Sequence, residues 1–367
     1  MRILLLSDTY SEHTEKWAFG LASKNVQVGL FSFNKASYPW YENQKNITLL
    51  FEPFVSVNSN TSRSSKLNYF SYLKILKKAI REFKPDILHA HYATSYGLIG
   101  ALAGFHPYVI SSWGTDVMKF PQKNLINKKL LKYNFKKADV LCATSNTIKE
   151  YISEVIKKEV EVIPFGVNLN EFKSANVTSI FNENEFVTGS IKPLEKVYNI
   201  DILIEAFAEL SVKHANMKLL IIGEGTEETN LKNLCKQNGI NDKVIFTGRI
   251  NYSEISKYFN MIDVLVNISD YESFGVSVIE AMACEKPVIV TNVGGLKEIV
   301  ENDTFGSLVG IRNKKETAHA IEKYYLDKNL KVATGKAGRK KVEERYDWNK
   351  NLDDMMEVYK KLSIKIK

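Results

Sequence analysis

Two carboxylates, Glu272 and Glu280, stand eight positions apart in the segment 271–295, YESFGVSVIEAMACEKPVIVTNVGG. A turn after the first leads into a helix that carries the second. The first backbone N–H groups of such a helix lack partners within it and lie at its positive end, so they can bind phosphate oxygens. A carboxylate beside a phosphate is useful when it accepts hydrogen bonds from neutral hydroxyl groups, which a sugar or a ribose supplies in pairs. The pattern predicts a site for a phosphorylated sugar; the alternative is a loop charge and a solvated helix residue.

The elements that position these glutamates follow from the apolar pattern. MIDVLVNIS (261–269) is an apolar, β-branched run typical of a buried parallel strand, and PVIVT (287–291) is another. Between them, Val276 to Ala283 carry apolar side chains at helical spacing. We therefore place Glu272 in the strand-to-helix loop, Glu280 on the helix, and Gly275 where the backbone approaches a ligand closely.

This stretch resembles the E-x7-E signature of the family 4 retaining glycosyltransferases, and EAMACEKPVIVTNVGGLKEIVEN (280–302) is similar to the corresponding residues of that family. In one branch of the family, as here, a Ser/His/Thr loop near the start replaces the usual glycine-rich loop. The resemblance implies the GT-B architecture, an α/β fold of two Rossmann-like, doubly wound parallel-sheet domains facing a central cleft. It covers nearly the whole chain, since four more segments and that loop occur in the family's order and spacing: VIPFGVNLNEF (162–172), GSIKPLEKVYNIDILIEAF (189–207), LLIIGEGTEETNLKNL (219–234), KVIFTGRI (243–250) and SDTYSEHTEKWAFGLA (7–22).

For the sugar donor, the resemblance implies contacts in the second half of the chain. Glu280 holds the ribose hydroxyls, Glu272 those of the donor sugar, and Lys192 and Lys196 neutralise the diphosphate leaving group. The chain departs from the family in this loop, because the second lysine is displaced and Asn199 stands where glycine is common; two exposed loop lysines are the alternative. The other expected donor contacts are Ser273, Phe274, Gly275 and Val276 at the phosphates and sugar, and Arg249 and Ile250 at the base.

In the first half, the resemblance implies acceptor contacts and some donor-sugar contacts. Ser11, His13 and Thr14 fall in the predicted loop after the first strand, where polar groups can face phosphates. A solvent-facing His13 is the alternative.

SSWGTDV (111–117) lies where many relatives have a histidine followed by glycine. Trp113 takes the histidine position, so that histidine's role is not assigned here. Gly114 and Asp116 are cleft candidates, and we expect Asp116 to hold a hydroxyl group.

LHAHY (88–92) places His89 and His91 alternately on a strand, so both rings point to the same face. As a metal pair they lack a third ligand. We interpret them as cleft-lining residues, with His91 nearer the end of the strand.

Length and composition favour two domains and a cytoplasmic location. The 367 residues exceed the roughly 250–300 at which a single core stops growing. The opening MRILLLSDTY turns polar too soon for a signal peptide, and the chain has no long apolar run. Cys142, Cys235 and Cys284 are far apart in apolar context, which favours reduced core residues over disulfides or a zinc site.

Positive charge is concentrated in the first half of the chain. Residues 1–173 hold 23 Lys or Arg and 14 Asp or Glu, net +9, whereas residues 174–367 hold 27 and 28, net −1. In 66–85 the apolar stripe is Phe70, Leu73, Leu76, Ile80 and Phe83, and the opposite face carries Lys74, Lys77, Lys78, Arg81 and Lys84.

A second basic segment, 127–139, carries Lys128, Lys129, Lys132, Lys136 and Lys137. Both segments could be ordinary solvated helix faces, or they could attract an anionic membrane surface or a lipid-linked phosphate acceptor. Nucleic acid is disfavoured because no recognised nucleic-acid module accompanies the charge.

Strands and helices alternate throughout, which predicts two parallel sheets with helices on both faces. We expect an N-terminal domain at 1–168, joined by a C-terminal helix at 347–367, and a donor-binding domain at 169–346. The predicted strands are RILLLS, VQVGLFSF, DILHAHYA, YVISSWGTD, VLCATS and one near VIPFG, then FVTGSI, LLIIGEG, VIFTG, VLVNIS and PVIVT.

The predicted activity is transfer of a hexosyl group from a nucleotide diphosphate sugar to an acceptor hydroxyl with retention, in bacterial surface polysaccharide or lipid-linked glycan synthesis. We expect neither cofactor nor metal, because no Asp-x-Asp lies in the strand context of a metal–diphosphate clamp. The acceptor is expected to be lipid-linked or a glycan, with the enzyme cytoplasmic and peripheral at the inner face of the membrane. The alternatives are a non-catalytic sugar-nucleotide binding protein and a glycoside hydrolase. A dinucleotide-dependent oxidoreductase is a third alternative, but the G-x-G-x-x-G motif of such enzymes does not follow the first strand.

Overall fold

A computed structural model describes residues 1–53 and 64–364, and for residues 64–70 it describes the backbone alone. The chain forms two compact units, each with its own core. Unit 1 comprises residues 1–164 and 351–367, and unit 2 comprises residues 165–350. The division expected from the sequence, at 168 and 346, differs from this packing by four residues at each junction.

Unit 1 contains a seven-stranded, entirely parallel sheet in the order β3-β2-β1-β4-β5-β6-β7. Its central strands are buried on both faces, as a sheet covered by helices on each side requires, and they are largely apolar apart from the histidines of β4 and the serines of β5. The strands are β1 Arg2–Leu6, β2 Gln27–Phe31, β3 Ile47–Phe51, β4 Ile87–His91, β5 Tyr108–Ser112, β6 Val140–Ala143 and β7 Val160–Val162.

The helices of unit 1 include the last helix of the chain, which starts at Trp348 and belongs to unit 1 from Asn351 onward. The Tyr359 hydroxyl on this helix lies 2.5 Å from Nδ1 of His89 on β4, with both residues buried. Asp353 pairs with Lys24, N···O 2.5 Å. These helices are α1 Glu12–Ser23, α2 Ser64–Phe83, α3 Ser95–Ala103, α4 Thr115–Met118, α5 Leu125–Lys137, α6 Asn146–Ser153 and α14 Trp348–Ile364.

Unit 2 contains a six-stranded parallel sheet in the order β10-β9-β8-β11-β12-β13. The strands are β8 Phe186–Ile191, β9 Met217–Ile222, β10 Val244–Phe246, β11 Val264–Asn267, β12 Val288–Thr291 and β13 Ser307–Val309. Its helices are α7 Ile200–Lys213, α8 Glu228–Gln237, α9 Tyr252–Met261, α10 Val276–Ala283, α11 Gly294–Val300, α12 Lys314–Leu326 and α13 Lys328–Arg345.

The predicted fold class is confirmed, since both sheets are parallel and connected through helices. Two strands, β3 and β13, are absent from the prediction. β13 has three residues and lies at a sheet edge, too short a segment for apolar alternation to be recognised. β3 is also an edge strand, with three of its five residues half-buried and one exposed, which weakens its apolar signal.

Candidate active site

The order of the unit 2 sheet determines where a ligand can bind. β8 and β11 are neighbours in the sheet, while the chain leaves them toward opposite edges. A crevice opens outside the carboxyl ends of two such strands, and ligands of open α/β sheets bind there. The loop after β8 carries Lys192, and the loop after β11 carries Glu272.

Lys192 and Glu272 form an ion pair at this crevice, between Nζ and Oε2. Their side chains are 12% and 17% exposed, so the pair is shielded yet still open to solvent. The Lys192 ammonium also lies 5.1 Å from the ring centroid of Tyr198. A cation and a carboxylate held together provide one group for a phosphate and one for sugar hydroxyls.

Glu272 belongs to a loop that leads directly into the N-terminus of α10. Gly275 is the N-cap with φ 115°, and its carbonyl accepts from the N–H groups of Val278 and Ile279. Ser273 and Val276 are half-buried at the same turn. The Phe274 ring instead packs in the core, 5.7 Å from both Phe165 and Tyr346, so this residue can offer a ligand its backbone.

Two glycines at the start of α11 hold this loop in place. A Cβ on Gly294 would lie 2.0 Å from the carbonyl oxygen of Glu272, and one on Gly295 would lie 2.5 Å from that of Ser273. The Gly295 N–H donates to the Glu272 carbonyl at 3.0 Å. The Gly-Gly pair therefore lets a helix terminus lie directly against the backbone of the predicted sugar-binding loop.

Glu280 lies on α10 and is 4% exposed. Its Oε1 accepts a hydrogen bond from the Tyr252 hydroxyl, O···O 2.8 Å. Tyr252 begins α9, directly after the loop with exposed Arg249 and half-buried Ile250. The hydrogen bond links the predicted ribose carboxylate to the predicted base loop. Tyr252 is not among the residues predicted from sequence, because neither its spacing nor its type indicates a partner 28 residues away.

The two lysines of the β8 loop differ in setting. Lys196 is exposed at the start of the 3-10 turn Lys196–Tyr198, in contrast to the half-buried Lys192.

The backbone conformation at Asn199 explains why asparagine can replace the glycine that is common at this position in the family. Its φ and ψ are 52° and 38°, a left-handed conformation that asparagine tolerates better than most residues. Its side-chain amide donates to the carbonyl of Ile268, 2.9 Å, and to the carboxylate of Asp270, 2.7 Å. Asn199 thus ties the lysine loop to the segment that follows β11.

In unit 1, Ser11 ends the loop after β1 as the N-cap of α1. The prediction that His13 and Thr14 lie in that loop is wrong, because both occupy the first turn of α1. Thr14 is fully buried, with Oγ1 2.7 Å from Oγ of Ser7. Burial, with a smaller effect of Lys16, lowers the pKa of His13 to about 4, so this half-buried ring is neutral near pH 7.

The two strand histidines lie in the interior of unit 1, which corrects their expected cleft-lining position. His91 is 2% exposed, and its Nδ1 lies 2.9 Å from Ser7 Oγ. His89 is fully buried, with Nε2 2.8 Å from Ser111 Oγ. Burial lowers the pKa of His89 to about 3 and that of His91 well below 6.5. Both rings act as neutral hydrogen-bonding groups of the core.

Asp116 also has a different role from the one expected. It is 1% exposed, and its carboxylate accepts from the backbone N–H groups of Ala93, 2.7 Å, Gly114, 2.8 Å, and Trp113, 3.3 Å. Burial raises its pKa, while these hydrogen bonds oppose the rise. Because its oxygens are engaged by backbone, Asp116 fixes the loops after β4 and β5 rather than holding a hydroxyl group.

The described residues contain no group of three or more His, Cys, Asp or Glu side chains placed to hold a metal ion. The three cysteines are buried thiols. Burial raises the pKa of Cys142 to about 12 and that of Cys235 to about 11, so neither thiol is ionised at neutral pH.

Comparison with known families matches most of the chain. Residues 171–341 match the model described as Glycosyl transferases group 1, and residues 2–145 match the one described as Glycosyl transferase 4-like. An uncharacterized glycosyltransferase of Methanocaldococcus jannaschii is 28% identical over 315 residues, 83% of this chain and 84% of that protein. The N-acetyl-alpha-D-glucosaminyl L-malate synthase of Bacillus anthracis is 26% identical over 286 residues, 75% and 74% of the two chains.

Among solved structures, HepE of Anabaena in complex with UDP has a TM-score of 0.81 at 20% identity, covering 99% of this chain and 100% of that one. WaaG, a glycosyltransferase of lipopolysaccharide biosynthesis, has a TM-score of 0.75 at 14% identity, covering 97% and 99%. These similarities show a shared fold. With the two family matches, they establish that the chain belongs to the family 4 glycosyltransferases of the GT-B fold and is a glycosyltransferase.

Proposed function

We propose that the protein transfers a hexosyl group from a nucleotide diphosphate sugar to an acceptor hydroxyl, with retention at the anomeric carbon. The observation that carries this proposal is the Lys192–Glu272 ion pair, which lies at the switch point of the unit 2 sheet and beside the N-terminus of α10. Family membership sets aside the hydrolase and oxidoreductase interpretations.

In the proposed reaction, the bond between the anomeric carbon and the β-phosphate oxygen breaks as the acceptor oxygen bonds to that carbon. The acceptor proton passes to the departing phosphate, and a nucleoside diphosphate is released. Lys192 and the first N–H groups of α10 stabilise the charge that develops on the diphosphate. Glu272 orients the donor sugar, and Glu280 holds the ribose. Departure and attack on the same face of the sugar give retention without a covalent intermediate.

Uridine nucleotides are the first donors to test. HepE has been crystallised with UDP, with UDP and glucose, and with UDP-glucose. HepE is only 19–20% identical to this chain, so UDP-glucose is used here as a test ligand and not as the assigned donor.

The division of roles between the glutamates gives a prediction. Glu280→Gln is expected to weaken UDP and UDP-glucose binding alike, by about 1.5–3 kcal/mol, because a charged hydrogen bond to ribose is lost. Glu272→Gln is expected to spare UDP and to weaken the additional affinity for the sugar. Calorimetric titration of both ligands measures this, with exposed Glu344→Gln as the control.

Equal losses of UDP affinity in both glutamate variants would contradict the proposed roles. UDP-glucose binding without UDP release in the presence of lipid extract would favour the non-catalytic binding protein.

We further propose a lipid-linked acceptor, handled at an anionic membrane surface on the cytoplasmic side. The support is α5, whose solvent face carries the five lysines of the second basic segment. The same face carries Leu125 and Ile126, whose exposed fractions are 77% and 76%. The buried face of α5 carries Leu131, Asn134 and Phe135.

The basic face predicted for α2 is also exposed. Its exposed residues are Lys74, Lys77, Lys78 and Arg81, with Lys84 just beyond the helix, while Phe70 lies outside the described side chains. In residues 1–53 and 64–364, no helix has the length and apolar character needed to cross a membrane.

Vesicle binding tests the membrane proposal. Replacing Lys128, Lys129 and Lys132 together by alanine is expected to lower partitioning into vesicles with 30% phosphatidylglycerol by about 100-fold, since each basic residue near an anionic surface contributes about 1 kcal/mol. The control removes three exposed lysines of unit 2, Lys236, Lys257 and Lys315.

Co-sedimentation at low and high salt measures the partitioning. If partitioning of the unaltered protein depends on neither lipid charge nor salt, the membrane proposal fails and a soluble acceptor is favoured.

A further inference from the structure

A network of hydrogen bonds joins three loops at the carboxyl ends of the unit 2 strands. These are the lysine loop, residues 192–199 after β8, the segment 268–275 after β11, and the segment 310–313 between β13 and α12. In the sheet, β12 separates β11 from β13, so the third loop is not held beside the other two by strand pairing alone. The side chains that join the loops are Asn199, Asp270 and Arg312.

Asp270 lies at the centre of this network. Its carboxylate accepts two hydrogen bonds from the Arg312 guanidinium, from Nε to Oδ1, 3.1 Å, and from Nη2 to Oδ2, 2.6 Å. Oδ1 also accepts from the Asn199 amide, 2.7 Å, and the Asp270 N–H donates to the Val197 carbonyl, 2.8 Å. The hydrogen bond from Arg312 lowers the pKa of Asp270 most, and that from Asn199 lowers it further.

The ion pair between Asp270 and Arg312 differs from an ordinary surface pair. The two side chains are 25% and 61% exposed, and an isolated pair at such exposure contributes little to stability. Here the planar guanidinium binds both carboxylate oxygens, which restricts the orientation of the carboxylate as well as its distance. The pair therefore fixes the direction from which Asp270 meets Asn199.

The backbone that carries Arg312 is itself held in place. Arg312 has φ 52°, a left-handed conformation that residues other than glycine seldom adopt. On either side of it, the Asn313 N–H donates to the Gly310 carbonyl, 3.2 Å, and the Gly310 N–H donates to the Glu316 carboxylate, 2.6 Å. Such a conformation persists where the surroundings impose it. The guanidinium thus extends from a fixed turn.

The network continues from Asp270 to the candidate donor residues. Tyr198 lies between the two residues of the lysine loop that are bonded to Asp270. Its ring centroid is 5.1 Å from the ammonium group of Lys192, which is paired with Glu272. Glu272 follows Asp270 by two positions in the chain. A shift of Asp270 would therefore move both members of the Lys192–Glu272 pair.

We propose that Arg312 and Asp270 are positioning residues for the sugar transfer, and that their ion pair holds Lys192 where the leaving diphosphate develops its charge. The inference rests on the proposed function, from which it takes the role of Lys192. Arg312 and Asp270 act through the lysine loop and need no contact with the donor.

The reactivity of Lys192 reports its position without any ligand. The whole protein is treated with limiting acetic anhydride, and acetylation of each lysine is quantified by mass spectrometry. Arg312→Ala and Asp270→Asn are each expected to raise the acetylation rate of Lys192 by about threefold or more, because local opening of the loop exposes the ammonium group. The rate of Lys331, another shielded lysine of unit 2 that is paired with Asp263, is expected to stay unchanged.

Lys314→Ala is the matched control. Lys314 follows Arg312 by two positions and pairs with Glu209, 2.7 Å, which lies on α7 and not in the lysine loop. This variant should leave the acetylation rate of Lys192 unchanged. An unchanged Lys192 rate in Arg312→Ala, or an equal rise in Lys314→Ala, overturns the positioning proposal. So does a rise at Lys331 as large as that at Lys192, since it would indicate general loosening of unit 2.

The rate of reaction separates this proposal from the proposed function. With UDP-glucose and a lipid extract as the source of acceptor, Arg312→Ala is expected to slow UDP release about tenfold and to change UDP-glucose affinity less than about twofold. In a Lys192→Ala background, the same change should slow release less than about twofold, because it acts through a side chain already removed. Equal slowing in both backgrounds overturns the positioning proposal. Absence of UDP release by the unaltered protein counts against the proposed function instead, and the acetylation rates then decide the positioning of Lys192.

Discussion

Replacing Lys192 by alanine is expected to lower kcat by about 100–1000-fold while weakening UDP-glucose binding by less than about tenfold. The reason is that its charge acts most strongly when the β-phosphate of the leaving group becomes more negative. Lys196→Ala should lower kcat by less than about tenfold, because this lysine is exposed and lies outside the ion pair with Glu272. Steady-state release of UDP, with binding titrations alongside, measures both quantities.

A change in binding as large as the change in kcat would contradict this role for Lys192. Activity should also persist in EDTA. Complete loss in chelator that magnesium restores would mean that a metal ion, not Lys192, neutralises the leaving group. Lys236→Ala is the charge-matched control at a distant exposed site of unit 2.

Gly294→Ala is expected to destabilise unit 2 by about 2–4 kcal/mol, combining a steric clash with a left-handed backbone. The new methyl group would lie 2.0 Å from the carbonyl oxygen of Glu272, and φ at this position is 44°. Moving that backbone also displaces the Glu272 carboxylate, and a shift of about 1 Å at a substrate-positioning group can cost about 100-fold in rate. Denaturant unfolding and kcat should therefore change together.

Gly239→Ala is the matched control, because Gly239 has φ 67° but an added Cβ would meet nothing within 4 Å. It carries the cost of the left-handed backbone without the clash. Equal destabilisation in the two variants, with unchanged kcat in Gly294→Ala, would show that the contact with the Glu272 loop is unimportant.

The fold could be predicted from sequence mainly where strands are buried on both faces. Such strands give nearly continuous apolar runs, as in β1, β11 and β12. The start of α1 is absent from the prediction, although Ser11 at the N-cap and Glu12 and Glu15 in the first turn are a recognisable signal. Short polar residues after a strand are also typical of a ligand-binding loop, and the two patterns coincide at this position.

The candidate donor residues could be proposed individually from the sequence, but their contacts with one another could not. Glu272 and Lys192 are 80 residues apart, and their pairing follows from β8 and β11 being neighbours, which local pattern does not reveal. The bond from Tyr252 to Glu280 and the engagement of Asp116 by backbone N–H groups are likewise long-range or geometric. Asn199 could have been anticipated, because glycine at that position in relatives implies positive φ, which asparagine also adopts.

The path of the chain has a consequence for the order of folding during synthesis. Unit 2 is continuous from 165 to 350, so all of it is synthesised before α14 is complete. Unit 1 is completed later, because Tyr359, the partner of His89, follows all of unit 2 in the chain. Nascent unit 1 thus exposes the apolar surface that α14 later covers, including the contacts of Leu352, Met355 and Val358. During that interval, chaperones can protect this surface from aggregation.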